Sequence, residues 1–226
     1  MRSLDSVRSY FNREATRFDA IYEADKPLLQ RIGDAIMRGV IAERFQLVMN
    51  SITATGQSVL DVGCGSGRYG VAIAKRGAAR CMGIDVSEDM IAIARKASDE
   101  NAVADRCAWE VTDFLSWKSQ EVYDSSIAMG YFDYLEDPLP HLERMIRQTR
   151  GQVFISFPKR WEIRVPVRML RFKLESGFVR FYSRTEVVEL FKQAGKLEFL
   201  SLVDLGRDYI AIYNCDASQV QSAQGR

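Results

Sequence analysis

A glycine-rich loop and an acid stand where the first buried strand of the chain ends. The stretch VLDVGCGSGRYG covers residues 59–70, and its first residues have the pattern of a buried strand. Gly63, Gly65 and Gly67 form a G-x-G-x-G pattern, with Asp61 two positions ahead of it. Glycines at such a place let the backbone approach a ligand closely, and the following helix presents free N–H groups. A carboxylate beside the loop favours a ligand that carries an ammonium group.

The same loop also fits a second pattern, the dinucleotide fingerprint G-x-G-x-x-G. Gly65, Gly67 and Gly70 satisfy that spacing. The glycines alone therefore leave two ligands open. Asp61 would repel a pyrophosphate, so it favours a ligand with an amino group, a carboxylate for the helix N-terminus and a nucleoside. On that interpretation Gly70 serves helix packing.

Two further acids follow the next two predicted strands. Asp85 comes about 20 residues after the glycines, where an acid accepts ribose hydroxyls in dinucleotide-binding and related folds. Asp113 follows the third strand, within reach of an adenine amino group. Ligands of open α/β sheets bind at the carboxyl ends of the strands. The two acids and Asp61 are therefore expected to line one crevice.

Strands that alternate with helices must position these residues. Strand patterns occur at 58–62, 80–84, 107–111, 123–129 and 152–157, and helix patterns at 3–22, 26–51, 69–76, 87–97, 138–150 and 185–194. The alternation predicts βαβ units and a parallel sheet with helices on both faces. Two last strands, 197–203 and 209–213, are joined by a turn too short for a parallel crossover. We predict a Rossmann-like three-layer α/β sandwich, with a mostly parallel seven-stranded sheet and one antiparallel strand near its C-terminal edge.

Four stretches together resemble the class I S-adenosylmethionine-dependent methyltransferases. They are VLDVGCGSG (59–67), GIDVSEDM (83–90), VTDF (111–114) and MGYFDYLEDP (129–138). The resemblance covers most of the chain, and the sheet of that family also ends in an antiparallel strand. It implies S-adenosylmethionine as cofactor and S-adenosylhomocysteine as its product. The chain also looks similar to the small-molecule methyltransferases of quinone and porphyrin pathways.

The resemblance implies a role for each matching position. Asp61 and the backbone of the three glycines would hold the methionine part of the cofactor. Asp85 would bind the ribose, and Asp113 the adenine amino group. The other implied cofactor contacts are Val86, Met90 and Phe114 around the adenine, and Met129 and Gly130 near the sulfonium.

Asp133 and Tyr134 follow the fourth predicted strand, on the side where a methyl acceptor would lie. A sulfonium makes its methyl group electrophilic, so in-line attack by O, N or S depends mainly on positioning. Either side chain could orient the acceptor or take a proton from it, as the candidate catalytic residues; a supporting role is the alternative. His141, the single histidine, is expected on the surface of the following helix.

Two segments could complete the site. The aromatic helix at 3–22 could cover the cofactor, with Tyr10 and Tyr22 in contact with it, or could simply pack into the core. The stretch 159–184 alternates basic with aromatic and aliphatic residues. It is interpreted as a substrate-recognition element for a lipophilic or anionic acceptor. A membrane surface, a protein partner or a solvated basic face are the alternatives.

The chain is expected to form a single methyltransferase domain. Its parts are a helical lid at 1–51, a cofactor-binding core at 52–158, the insert at 159–184, a C-terminal helix and strand pair at 185–215 and a tail at 216–226. A net charge of +1, with no basic stripe, argues against a nucleic-acid partner. Four cysteines without a C-x-x-C pair and a single histidine argue against a metal site.

Composition and motifs together predict a cytoplasmic enzyme, because no secretory h-region and no membrane-length apolar stretch is present. It would transfer a methyl group to an O, N or S nucleophile of a small molecule. Two alternatives stay open. A nucleotide-dependent oxidoreductase would use the Gly65–Gly67–Gly70 spacing. A non-catalytic scaffold would keep a vestigial cofactor pocket, although all three acids are present.

Overall fold

The computed structural model of the protein describes residues 28–160, 179–195 and 197–215. Within these ranges seven strands form one sheet in the order β3-β2-β1-β4-β5-β7-β6. The strands are β1 (Ser58–Val62), β2 (Arg80–Asp85), β3 (Cys107–Val111), β4 (Tyr123–Ala128), β5 (Thr149–Pro158), β6 (Leu200–Asp204) and β7 (Asp208–Asn214). The helices are α1 (Leu28–Ser51), α2 (Arg68–Lys75), α3 (Glu88–Glu100), α4 (Leu139–Arg147) and α5 (Arg184–Gln193), with 3₁₀ turns at Phe132–Tyr134 and Leu197–Phe199.

Strands β1 to β5 pair in parallel, and β7 is inserted in the opposite direction between β5 and β6. The predicted sheet with one antiparallel strand near its C-terminal edge is therefore confirmed. The strand order reverses between β1 and β4, because β1 is followed by β2 on one side and the chain returns to β4 on the other. Ligands of such sheets bind outside the carboxyl ends of the strands at this point of reversal.

Apolar cores on both faces of the sheet hold the strand ends in place. One core includes Phe132, Phe157 and Phe191, and the other is built around Trp109 and Ile73. Strand β1 is buried from its second residue to its last, as expected for a central parallel strand. Its end, where the glycine loop begins, is therefore fixed by packing on either side.

Several helix and strand boundaries differ by a few residues from the sequence-based prediction, and two of these differences have a clear physical reason. The helix expected at 138–150 ends at Arg147, because Thr149 already belongs to β5; its hydroxyl donates to the carbonyl of Met145 and lies 2.6 Å from Ser126 Oγ. The strand expected at 197–203 begins with a 3₁₀ turn and becomes a strand only at Leu200. In both places the pairing with a neighbouring strand decides the boundary.

Three predicted segments lie wholly or partly outside the described residues: the helix at 3–22, most of the 159–184 insert and the tail at 216–226. The division of the chain into five parts stays a prediction. Among the described residues, each helix is too short or too polar to traverse a bilayer.

Candidate functional site

A cavity of about 320 Å³ lies at the carboxyl edge of the sheet, around the ends of β1, β2 and β4. Most of the predicted site residues line it: Asp61, Gly63, Gly65, Asp85, Val86, Met90, Asp113, Phe114, Met129, Gly130, Asp133 and Tyr134. The structure therefore brings residues from four separate sequence motifs to one place. The volume is in the range of small-molecule and cofactor sites.

Among the predicted site residues that the structure describes, Gly67 alone does not line this cavity. Tyr10 and Tyr22 lie outside the described residues. Gly67 is the N-cap of α2, with φ 74°, and is not among the residues that line the cavity. A Cβ on Gly67 would lie 2.7 Å from the ring of Trp109 and 2.8 Å from Ala94. The lack of a side chain at this position is therefore a packing requirement.

Trp109 of β3 fills a slot whose walls are three glycines, which we call the Trp109 slot: Gly67, Gly70 of α2 and Gly83 of β2. A Cβ on Gly70 would lie 2.7 Å from the indole, and one on Gly83 would overlap it. The indole Nε1 donates to Ser98 Oγ at 3.1 Å, which fixes the ring. The predicted packing role of Gly70 is confirmed, and the glycine loop rests on a rigid aromatic support.

Asp61 is a buried carboxylate at the end of β1, only 3% exposed. Burial, together with the nearby charge of Asp85, raises its pKa to about 7, although the N–H of Gly70 acts in the opposite direction. Among the described residues its Oδ2 has no hydrogen-bond partner. A buried acid with an open oxygen beside a cavity is suited to receive a cationic donor.

Asp85, at the end of β2, fastens the glycine loop. Its Oδ2 accepts from the N–H of Gly65 and its Oδ1 from the N–H of Ser87, both at 2.9 Å. Burial raises the pKa of Asp85 even though these N–H groups lower it.

Asp113 lines the same cavity, and its Oδ2 accepts from the N–H and the hydroxyl of Ser116 at 2.9 Å.

Arg44 is a cavity residue that the sequence reasoning missed. It lies on α1, and its Nε donates to Asp208 Oδ2 at 2.7 Å. Arg68 also lines the cavity, with its guanidinium 4.5 Å above the ring of Phe45. Arg68 directly follows the glycine loop, whereas Arg44 belongs to no local motif, and its place becomes visible only when α1 and the start of β7 are brought together.

His141 is not on the surface as expected; it is 7% exposed. Its Nδ1 lies 2.9 Å from the hydroxyl of Tyr131, and its ring is tilted 6.2 Å from Phe114. Tyr131 lines the cavity and packs under the loop, 2.6 Å from where a Cβ on Gly63 would lie. No sequence pattern predicts this pair, because it depends on how α4 packs against the end of β4.

Asp133 and Tyr134 occupy the 3₁₀ turn after β4 and line the cavity. This turn is tied to the end of the 159–184 stretch, because the N–H of Arg180 donates to the carbonyl of Asp133 at 2.7 Å. The hydroxyl of Tyr182 donates to the carbonyl of Phe132 at 3.0 Å. Both candidate catalytic side chains thus stand on a turn that is held by hydrogen bonds from the last residues of the 159–184 stretch.

Comparison with known proteins identifies the domain. A model of the methyltransferase domain matches residues 59–151. The chain is 30% identical over 115 residues to a ubiquinone biosynthesis O-methyltransferase from Pseudomonas fluorescens (strain SBW25), covering 50% of this chain and 49% of that one. It is 41% identical over 58 residues to the ribosomal protein L11 methyltransferase of Escherichia coli (strain K12 / DH10B), covering 26% and 20%. The chain thus spans about half the length, or less, of these curated relatives.

Solved structures share the fold. A magnesium protoporphyrin IX methyltransferase from Synechocystis PCC 6803, with bound S-adenosylhomocysteine, has a TM-score of 0.69 at 20% identity and covers 93% of this chain and 99% of that one. Geranyl diphosphate C-methyltransferase from Streptomyces coelicolor A3(2) has a TM-score of 0.69 at 13% identity, over 95% and 98%. At such identities the likeness establishes the fold. The matched methyltransferase domain, residues 59–151, contains the four stretches that resemble class I S-adenosylmethionine-dependent methyltransferases.

Proposed function

We propose that the protein transfers a methyl group from S-adenosylmethionine to an O, N or S nucleophile of a small molecule. The observation that carries the proposal is Asp61, buried beside the glycine loop with an open Oδ2. A dinucleotide would bring its phosphates to this acid, which is unfavourable, whereas an amino-acid end brings an ammonium group. Similar proteins solved with S-adenosylhomocysteine or S-adenosylmethionine bound support the same cofactor.

The cavity residues fit the three parts of this cofactor. Asp61 would accept from the ammonium group, and Asp85 from the ribose hydroxyls. Asp113 would accept from the adenine amino group. Arg44 is a largely buried cation that also lines the cavity and would pair with the carboxylate. When bound, S-adenosylmethionine supplies the electrophilic methyl group on its sulfonium.

The chemistry asked of this chain is mostly positioning. Asp133, 5% exposed, and Tyr134 line the cavity beyond Gly130, and we propose that they orient the acceptor. Asp133 would take the proton of an acceptor that arrives protonated. Holding the nucleophile in line with the methyl group supplies most of the rate enhancement in this kind of transfer.

The proposed acceptor is a small lipophilic or anionic molecule. Two similar proteins are named for ubiquinone biosynthesis and for magnesium protoporphyrin IX, which supports this class. The basic and aromatic stretch 159–184 supports it as well. Arg160 and Lys159 at one end of that stretch are paired with Glu186 and Asp204. These two cations are thus already engaged by carboxylates of the same chain.

The test is calorimetry of the purified protein with S-adenosylhomocysteine and, separately, with NADH. We expect S-adenosylhomocysteine to bind and NADH not to bind. Asp85→Ala should lower the affinity for S-adenosylhomocysteine by about 100-fold or more, because the two ribose hydroxyls of the ligand lose their charged acceptor. Asp89→Ala is the matched control, since Asp89 is an exposed acid on the first turn of α3. Binding of NADH alone would support the oxidoreductase, and binding of neither ligand would support a scaffold.

A further inference from the structure

The reversed strand β7 brings an acid to the edge of the sheet where the cavity lies. Because β7 runs antiparallel to β5, its first residue, Asp208, is paired with Pro158, the last residue of β5. A parallel strand in this place would deliver its last residue instead. Asp208 is thus brought to the carboxyl edge by the one strand that breaks the parallel pattern, and it is 2% exposed there.

Asp208 meets Arg44, which comes from α1 and is 164 residues away in sequence. Their ion pair is almost fully buried, with side chains 12% and 2% exposed. Burial alone would lower the pKa of Arg44, but Asp208 and then Asp133 raise it further than burial lowers it. The guanidinium therefore stays charged inside the protein, and one of its nitrogens is fixed.

The ion pair uses Nε of Arg44 and leaves the two terminal nitrogens for other partners. Nη1 lies 3.8 Å from the position that a Cβ on Gly130 would take, and Arg44 and Gly130 both line the cavity. Among the described residues, no hydrogen bond to the terminal nitrogens of Arg44 is present. A buried guanidinium with two free N–H edges facing a cavity is suited to bidentate pairing with a carboxylate.

We infer that Asp208 is a positioning residue, which holds Arg44 so that its terminal nitrogens receive the carboxylate of the cofactor's amino-acid end. This inference rests on the proposed function, because it assumes that S-adenosylmethionine occupies the cavity. Without the Asp208 carboxylate, Arg44 would regain rotamer freedom and would carry a buried charge without its partner. The loss should affect only ligands that have the amino-acid end.

The experiment compares two ligands by calorimetry: S-adenosylhomocysteine, and 5′-methylthioadenosine, which has the nucleoside and the thioether but no amino-acid end. Asp208→Asn should lower the affinity for S-adenosylhomocysteine by about tenfold or more and leave the affinity for 5′-methylthioadenosine unchanged. Asp204→Asn is the matched control. Asp204 ends the other strand of the same hairpin and pairs with Lys159 at 2.8 Å, and it does not line the cavity. Its substitution should change neither affinity.

A double-mutant cycle tests whether Asp208 acts through Arg44. Arg44→Gln should cause the same selective loss, and adding Asp208→Asn to it should cause no further loss. Should Asp208→Asn fail to fold, Arg44→Lys replaces it. A lysine ammonium can pair with Asp208 but cannot present two parallel N–H groups to a carboxylate, so the same selective loss of S-adenosylhomocysteine affinity is expected.

Three results would overturn the inference: unchanged affinity for S-adenosylhomocysteine in Asp208→Asn, an equal loss for both ligands, or additive losses in the cycle. The proposed function is tested separately, by the binding of both ligands to the wild-type protein. If the wild type binds neither ligand, the proposed function fails before any variant is compared, and the inference fails with it.

Discussion

The two halves of the cavity are built in different ways. The half below β1, β2 and β3 carries Asp61, Asp85 and Asp113, each at or just beyond a strand end and each within a short motif. The other half carries Arg44, held by Asp208 across 164 residues, and the pair of Tyr131 with His141. The first half therefore depends on local backbone geometry, and the second on side chains that only the complete fold brings together.

The acid half is expected to be the rigid one, because the Trp109 slot supports its loop. A substitution there should cost more stability than one in the other half. Gly83→Ala should destabilise the protein by about 3 kcal/mol or more, since its Cβ would overlap the indole and approach Cys64 Sγ to 3.0 Å. Chemical denaturation followed by circular dichroism measures the free energy of unfolding.

Gly39→Ala is the control for this substitution. Gly39 lies in α1, and no atom is within 4 Å of the position of its Cβ, so alanine should stabilise the helix by about 0.5–1 kcal/mol. Adding Trp109→Leu to Gly83→Ala should recover part of the loss. A Gly83→Ala protein as stable as the wild type would show that the Trp109 slot can accommodate a methyl group. The claim that the acid half is the more rigid one would then be wrong.

The smaller expected effect lies in the other half, at His141. Burial lowers the pKa of His141, although Asp113 and Asp137 act in the opposite direction. Its neutral ring accepts from the Tyr131 hydroxyl in the tautomer with a proton on Nε2. The folded pKa is therefore below the unfolded value near 6.5, so this group's contribution to stability is complete above pH 6.5 and is lost as the pH falls.

Because the chain has one histidine, its ring protons can be followed by NMR without assignment. We expect a pKa below 6.5, and a pKa closer to 6.5 in Tyr131→Phe, which removes the hydrogen bond to the neutral ring. The stability change at pH 5 should be about 1 kcal/mol or less. A wild-type pKa at or above 6.5 would place His141 in solvent, contrary to the structure.

The sequence predicted well the half of the site that carries the three acids, because their places depend on nearby residues of the chain. The spacing of Asp61, Asp85 and Asp113 relative to alternating strands was enough to place all three acids at one sheet edge. The short turn between the last two strands was enough to predict the reversed direction of β7. Both inferences use geometry that the chain fixes within a few residues.

What the sequence did not predict depends on contacts between distant elements. Gly67 has the spacing of a ligand-binding glycine, and its conformation and the neighbouring Trp109 add a packing requirement that the spacing does not reveal. His141 was expected at the surface because a lone histidine after prolines carries no sign of burial. Arg44 looks like any polar residue of an amphipathic helix until the start of β7 is placed beside it.

The central claim is that the acid half receives an ammonium group through Asp61. Its folded pKa of about 7 lies above the ordinary value of 3.8, so the carboxyl is mostly neutral at pH 6 and mostly ionised at pH 8. The ligand-free protein should accordingly lose stability through this group as the pH rises from about 4 to about 7, because the folded state holds the proton longer. An ammonium ligand should favour the ionised form.

The most direct measurement is calorimetry of the wild-type protein with S-adenosylhomocysteine and 5′-methylthioadenosine at pH 6 and pH 8. The affinity for S-adenosylhomocysteine should rise about tenfold between the two pH values, with release of a proton at pH 6, since ionised Asp61 pairs with the ammonium group. The affinity for 5′-methylthioadenosine, which has no ammonium group, should stay within about twofold. An equal pH response of the two ligands would contradict the account.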